Sequence, residues 1–585
     1  LSDSEFPPHV LREYALLADG ERGALVGPRG DVVWLCAPRW DSDAVFAALI
    51  GGRGGYRVGP TGRFVWGGYY EDDSLVWRSR WITEDGIVEC REALAFPGDR
   101  DRVVLLRQVV AVDGDARVQL LCEPAAGFGR YGLRGARRDG DGVWHARCGE
   151  LWVRFTGAPH ASVVERSLRA ELRVPPGHRH DLVLELSTRR PSGPPPEPGD
   201  LWMATETRWR ESLPRFERSI APRDARHSYA VLRGLTSAGG GMVAAATMSL
   251  PERAEQGRNY DYRYVWIRDQ CFAGQAVAAD GPHELLDDAT RFVGARLLDD
   301  GPGLKPAYTV SGDDVPDERS LDLAGYPGGT DILGNHVNAQ WQLDAFGEAL
   351  LLFAAAARWD RLDRDGRRAL NAAVNAIGAH WREPDAGVWE LDPHRWAHSR
   401  LTCAAGLRAV AASAAPTPGD AASWSALADA IVADTSADCL HPSGRWQRAP
   451  DDPRVDGALL LPALRGAVPP GDPRSRATLA AVCDELEVEH YVYRFRHDAR
   501  PLGHAEGAFT LCGFVVALAM HQAGQVAEAL RYFERNRAAC GPPGLLCEEY
   551  DVRQRQLRGN VPQAFVHALM LEAAVRLAHA PSGAS

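Results

Sequence analysis

Lysine is almost missing from this 585-residue chain: of 66 basic residues one, Lys305, is lysine and the rest are arginine. We read that imbalance as one of coding composition rather than of function. With 78 acidic residues the net charge is −12, and no long run of one sign occurs. That excludes the basic stripe of a nucleic-acid footprint and suits a small neutral partner. No uninterrupted apolar stretch reaches the ~18 residues that a membrane-spanning helix needs. The opening Leu-Ser-Asp-Ser-Glu-Phe-Pro-Pro has no charged-then-apolar signal pattern. The eleven cysteines are odd in number and scattered, with no Cys-x-x-Cys pair, which excludes a disulfide framework and leads us to expect reduced thiols and a cytoplasmic location. Metal-ligand spacing is also absent. His394 and His398 stand four apart around Trp396 without an accompanying Cys or carboxylate pattern and read as a surface helix face, so neither metal nor cofactor is expected.

What is present divides in two. From Tyr14 to about Arg190, short β-like runs such as Gly30 to Leu35, Arg102 to Val110 and Leu182 to Leu186 are punctuated by Asp85-Gly86, Asp113-Gly114, Asp139-Gly140 and Pro175-Pro176-Gly177. This pattern predicts antiparallel sheets stacked as a sandwich over residues 1–195, with only Ala44 to Ile50 suggesting a helix. Pro191 to Gly199 stops regular structure, and a linker helix is expected from Leu201 to Phe216, giving a linker over 196–225. From 226 to 585, twelve segments carry helical spacing, near 226–238, 267–279, 284–299, 336–357, 364–381, 396–414, 419–436, 455–464, 473–487, 507–523, 525–538 and 562–579. Twelve helices suit six helical hairpins closed into an (α/α)6 barrel.

The chemistry gathers between these segments. Glu548-Glu549-Tyr550-Asp551 follows a Gly-Pro-Pro-Gly turn, and Trp389-Glu390 follows Pro384-Asp385-Ala386-Gly387. Paired carboxylates serve acetal chemistry, one protonating the leaving oxygen and one activating water. The run Asn259-Tyr260-Asp261-Tyr262-Arg263-Tyr264-Val265-Trp266-Ile267-Arg268-Asp269 supplies aromatic faces and planar charges of the kind that grip sugars, though an Arg–Asp surface pair beside a packed Trp would leave the same trace. Asn335 is placed to cap the helix that follows, with Gln340 and Trp341 open to either ligand contact or packing. Arg494, between Tyr493 and Phe495, could clamp a sugar or stack as a cation on a ring.

Together with Tyr14 to Gly27, Trp34 to Ser42 and Gly559-Asn560-Val561-Pro562-Gln563-Ala564-Phe565, these motifs occur in an order that resembles glycoside hydrolase family 15, the glucoamylase family, in its bacterial two-domain form. The resemblance covers nearly everything from Tyr14 to Leu577. It implies that Glu390 is the general acid and Glu548 the general base. It implies that Trp266, Arg268 and Asp269 hold the non-reducing glucose, with Arg494 as a further clamp. Glu549, Tyr262 and Trp389 complete the expected sugar-binding set, Glu549 either touching sugar or shaping its loop.

The implied reaction is inverting hydrolysis that releases β-glucose, which calls for carboxyl groups on the order of 6.5–9.5 Å apart. Asp331 to His336 and Trp341 depart from the family pattern, near Leu304 to Gly312 where such enzymes shape the outer subsites, and no starch-binding extension is seen. We therefore expect an exo-acting hydrolase of short α-glucans, maltooligosaccharides or isomaltose-type sugars, with an α,α-trehalase as the alternative on the same fold. An inverting phosphorylase and a catalytically silent sugar-binding protein rank below these, because Glu548 would repel phosphate and a pure binder has no need of an acid and a base.

Overall fold

A computed structural model of the chain describes residues 5–254, 257–413, 415–497 and 500–580. Seventeen strands, the last ending at Ser187, form one eight-stranded and one nine-stranded antiparallel sheet. Strand Ala116–Glu123 shows why: Ala116, Val118 and Leu120 are buried while Arg117 and Gln119 face water, the two-residue period of a pleated strand. Val118 and Leu120 meet Trp77, Trp81, Val109 and Leu184 in a core shared by the two sheets, so the predicted sandwich is present. Ala44 to Ile50 is not a helix but strand Ala44–Phe46 followed by a 3-10 turn, Ala48–Ile50.

Helix Pro198–Ser212 comes next, opened by a proline that fits the first turn. It stops before the expected Phe216 because Leu213 precedes Pro214, which disfavours helical backbone. Trp202 packs on Val76, Ala93 and Leu106 of the sandwich, and Trp209 stacks on Phe96 with centroids 3.9 Å apart.

Twelve further helices follow among the described residues, and their burial alternates. Helices Ile267–Ala278, Asp344–Arg358, Ala397–Ala411, Thr510–Gln522 and Ala564–Arg576 are buried on nearly every face, as an inner ring requires. Between them lie helices buried along one stripe, such as Val526–Arg537, which buries Ala529, Tyr532, Phe533 and Asn536. The sixth inner member is a single turn, Leu461–Leu464, prefaced by the 3-10 turn Gly457–Leu460; Pro462 keeps it from being the longer helix expected over 455–464. Each inner helix packs on the next, and Ala564–Arg576 closes the ring on Ile267–Ala278. This is the (α/α)6 barrel. No helix among the described residues is long and apolar enough to cross a membrane.

The expected helix over 336–357 is broken. A 3-10 turn, His336–Ala339, precedes a gap, and the α-helix begins only at Asp344. Asn335 caps nothing with its side chain; its amide instead donates to the Asp261 carbonyl at 3.4 Å.

Sandwich and barrel meet at Arg263, which has no exposed surface. Its Nε and Nη2 bind Asp261 at 2.9 and 2.7 Å, while Nη1 donates to the Ser42 carbonyl at 2.8 Å and lies 3.3 Å from Cys36 Sγ. Removing one member of a buried pair strands the other's charge, at a cost of about 3–5 kcal/mol. Arg263→Ala is therefore expected to lower the urea midpoint of unfolding sharply; a midpoint equal to wild type would show that this clamp does not hold the two halves.

Candidate active site

One cavity of about 70 Å³ gathers Glu252, Arg258, Tyr260, Tyr262 and Arg268 from one stretch, Asn335 and His336 from the broken helix, Val388 to Glu390 from a loop, and Arg494, Phe509, Glu548 and Phe565 from four more segments. Glu390 and His336 also line an outer chamber of about 1080 Å³ that includes Gln340, Trp341, Trp396 and Phe495. The two carboxylates singled out in the sequence, 158 positions apart, thus face one space.

Local structure explains how each arrives there. Glu548 precedes strand Glu549–Asp551, which pairs with Ala508–Phe509 and Gln556–Arg558, and its carbonyl accepts from the amide of Thr510 at 2.9 Å. Its carboxylate accepts from the Tyr262 hydroxyl at 3.1 Å. Burial, then the charge of Glu252, pushes the Glu548 carboxyl well above the usual glutamate range. Across the cavity, Glu390 keeps 21% of its side chain exposed and accepts from Trp266 Nε1 at 2.7 Å. The Tyr262 and Trp266 rings meet edge to face at 5.5 Å, so a continuous aromatic pair spans the two acids.

Arg268 Nη1 donates to the Val388 carbonyl at 2.7 Å and lies 3.6 Å from Glu390, while Nη2 lies 3.2 Å from Asp269. Burial raises the Asp269 carboxyl to about 6 against the pull of Arg268. Arg494 makes three bonds of 2.7–3.0 Å to Glu506 and lies 4.8 Å from the Phe509 centroid, so it both lines the cavity and stacks. Burial alone would raise Glu506, but Arg494 and His497 outweigh it and hold the carboxyl at about 2. Trp389 presents its ring to the cavity and donates from Nε1 to Asp456 at 2.9 Å.

Three residues expected to contact sugar are not among those lining the cavity. Trp266 and Asp269 stand behind the cavity wall, the first gripping Glu390 and the second backing Arg268. Glu549 is fully buried, and its Oε2 accepts from the Gly507 amide at 2.6 Å. Its side chain points there because alternate residues of a strand face opposite sides. His398 is buried within helix Ala397–Ala411, where burial pushes its imidazole down to about 3, so the surface face expected for it is wrong.

Sequence reasoning missed Glu252, Arg258 and His336. Glu252 and Arg258 form an ion pair at 2.7 Å; their place just ahead of the aromatic run was the available signal. Among the described residues no group of three or more His, Cys, Asp or Glu side chains could hold a metal ion.

Comparison with known proteins agrees with this architecture. Residues 227–575 match the profile described as Glycosyl hydrolases family 15, and residues 6–186 match that of a trehalase-like N-terminal domain. The chain is 32% identical to a protein named trehalase from Mycobacterium tuberculosis, over 98% of this chain and 90% of the relative. It is 29% identical to one named isomaltose glucohydrolase from Kribbella flavida, over 53% of this chain and 77% of that one. A crystal structure of a bacterial glucoamylase complexed with acarbose superposes with a TM-score of 0.69 at 14% identity, covering 99% and 96% of the two chains. With its sandwich, its six-hairpin barrel and the matching profile over more than half its length, this chain belongs to glycosyl hydrolase family 15 and is a glycosidase.

Proposed function

We propose that this protein is an inverting exo-α-glucosidase whose substrate is α,α-trehalose, with Glu390 as general acid and Glu548 as general base. The observation that carries the chemistry is that Glu390 and Glu548 line one cavity, each held by one ring of the Tyr262–Trp266 pair. One glucose occupies the inner cavity and the leaving glucose lies toward the outer chamber. Glu390 gives its proton to the glycosidic oxygen as the bond to the anomeric carbon breaks. A water attacks that carbon from the opposite face and yields its proton to Glu548. Arg268, Arg494 and the Glu252–Arg258 pair offer planar, charge-assisted hydrogen bonds to the glucose hydroxyls.

Trehalose is favoured over the linear glucans expected from the sequence because relatives matched along 98% of this chain, at 32% and 31% identity, are named trehalases. Isomaltose-type sugars are the second reading, supported by the isomaltose glucohydrolase relative over 53% of the chain. The two separate cleanly by assay with trehalose, isomaltose and maltose. Inversion of trehalose gives equal α- and β-glucose at first, since the leaving ring keeps its configuration. Proton NMR of the first products should show that one-to-one ratio; α-glucose alone would mean retention and overturn the assignment. A dependence of product on added phosphate would indicate phosphorolysis instead.

Glu390→Gln and Glu548→Gln are each expected to lower kcat by roughly 10²- to 10⁴-fold, as loss of acid or base assistance implies. Near-normal turnover in either variant, measured as glucose release, would remove that residue from its role.

The base works only when ionised, and burial with Glu252 raises its carboxyl. Activity should therefore fall as pH drops through that raised value. Glu252→Gln removes one neighbouring negative charge, so the acid limb of kcat/KM against pH should move to lower pH. A limb that stays in place or moves up would show that Glu252 does not act on Glu548.

A further inference from the structure

The loop that carries Glu390 is bound to the barrel through one buried carboxyl. Asp385 is 2% exposed, and its Oδ2 accepts three hydrogen bonds: from the Leu343 amide at 3.1 Å, the Gly387 amide at 3.0 Å and the Ser399 hydroxyl at 2.9 Å. Leu343 leads into helix Asp344–Arg358 and Ser399 lies in helix Ala397–Ala411. One oxygen atom thus joins two neighbouring inner helices to the loop. From Gly387 the connection continues, since its carbonyl accepts the amide of Glu390 at 3.1 Å.

The turn between them is one that a polypeptide does not adopt unaided. Gly387 has φ +69° and Glu390, a non-glycine residue, has φ +55°. A side chain at Gly387 would bring its Cβ to 2.6 Å from the Trp396 ring. Left-handed backbone at a non-glycine residue persists only where its surroundings over-determine it. Here they do: the Asp385 and His394 backbones exchange two bonds of 3.0 Å, the Ala386 amide donates to the Trp341 carbonyl at 2.9 Å, and Arg268 holds the Val388 carbonyl. Of these ties, Asp385 is the side chain that reaches the turn from within the loop itself, and its charge has no arginine or lysine within ion-pairing distance among the described residues. Burial, then the neighbouring Asp344, raises its carboxyl to about 8. A buried carboxyl with no cation beside it carries a desolvation cost in the fold, which argues for a task beyond packing.

We propose that Asp385 is a positioning residue for the general acid: by fixing the Gly387–Glu390 turn it sets the Glu390 carboxyl at the glycosidic oxygen, without touching the sugar. This rests on the reading of Glu390 as acid, and the test keeps the two claims apart. α-Glucosyl fluoride needs little acid help, because its C–F bond breaks to release fluoride, a weak base, while water still attacks the anomeric carbon and passes its proton to Glu548. A residue that only positions the acid should therefore matter for a disaccharide and not for the fluoride.

Asp385→Ala and Asp385→Asn are to be compared with wild type on trehalose, or on isomaltose if that is the sugar cleaved, and on α-glucosyl fluoride. The expected result is a fall in kcat on the disaccharide on the order of 100-fold, as a displacement of about 1 Å implies, with the fluoride rate kept within roughly fivefold. Ser399→Ala, which removes one donor, should show the same split with smaller amplitude, and it decides the matter should the Asp385 variants fail to fold. Equal losses on both substrates would make Asp385 merely structural and overturn the inference. Glu390→Gln is the control: if it shows the split and the Asp385 and Ser399 variants do not, this inference alone fails, whereas if Glu390→Gln loses both activities alike, the acid assignment fails and takes the inference with it.

Discussion

A guanidinium with no access to water must be neutralised where it lies, and in this chain that requirement fixes both the domain junction and the site. Arg263 meets it with Asp261, two residues before it, and with the Ser42 and Trp40 carbonyl oxygens of the sandwich. The residue between the two is Tyr262, whose hydroxyl touches Glu548. The phenol cannot drift unless the clamp opens, and the clamp cannot open without exposing a charge to a low-dielectric interior. Trp34 of the sandwich adds to this by donating to the Ala246 carbonyl at 2.8 Å. The β-sheets therefore back the stretch that carries Tyr262, while every residue lining the cavity comes from the helical half.

The inner cavity is heavily charged for a pocket meant for a neutral sugar, and the pairing of those charges resolves the paradox. Glu506 is shared by Arg494, His497 and, at 3.6 Å, Arg258; Glu252 answers Arg258. Most of these ions are held by an opposite charge, and Glu548 by the Tyr262 hydroxyl, so the pocket offers strong directional donors and acceptors. Hydroxyl groups, which both give and accept hydrogen bonds, are the natural complement of such a surface. Burial raises Glu548 despite the pull of Arg494, while Arg494 and His497, in direct contact, hold Glu506 low.

Much of this was legible in the chain before any coordinates. Twelve helical periods produced twelve helices after residue 221 among the described residues, because alternating all-round and one-sided burial leaves a strong trace in Ala- and Leu-rich segments. Glu390 and Glu548 could be singled out because each stands beside aromatics on a turn between helices. What stayed hidden depends on long-range geometry. Nothing local separates Glu548, which enters the cavity, from Glu549, which turns away; the strand's alternation decides. Trp266 reads as a sugar platform, yet its indole is spent on Glu390. Glu252 and Arg258 carry no motif of their own, and the approach of Arg258 to Glu506 and of the Glu252 charge to Glu548 is made by chain folding over hundreds of residues. The helix that fails between Ala339 and Asp344 looked continuous because its apolar spacing survives the break.

The nesting of the two spaces also sets an order of events. Glu390 and His336 border both the inner cavity and the outer chamber, so a glucose lodged within is screened by whatever sits outside it. On the proposed reading, turnover is last in, first out: the detached sugar departs ahead of the one whose anomeric carbon was attacked. On that reading the inner glucose, left in the pocket, competes with incoming substrate for the same place, and accumulating glucose slows its own release.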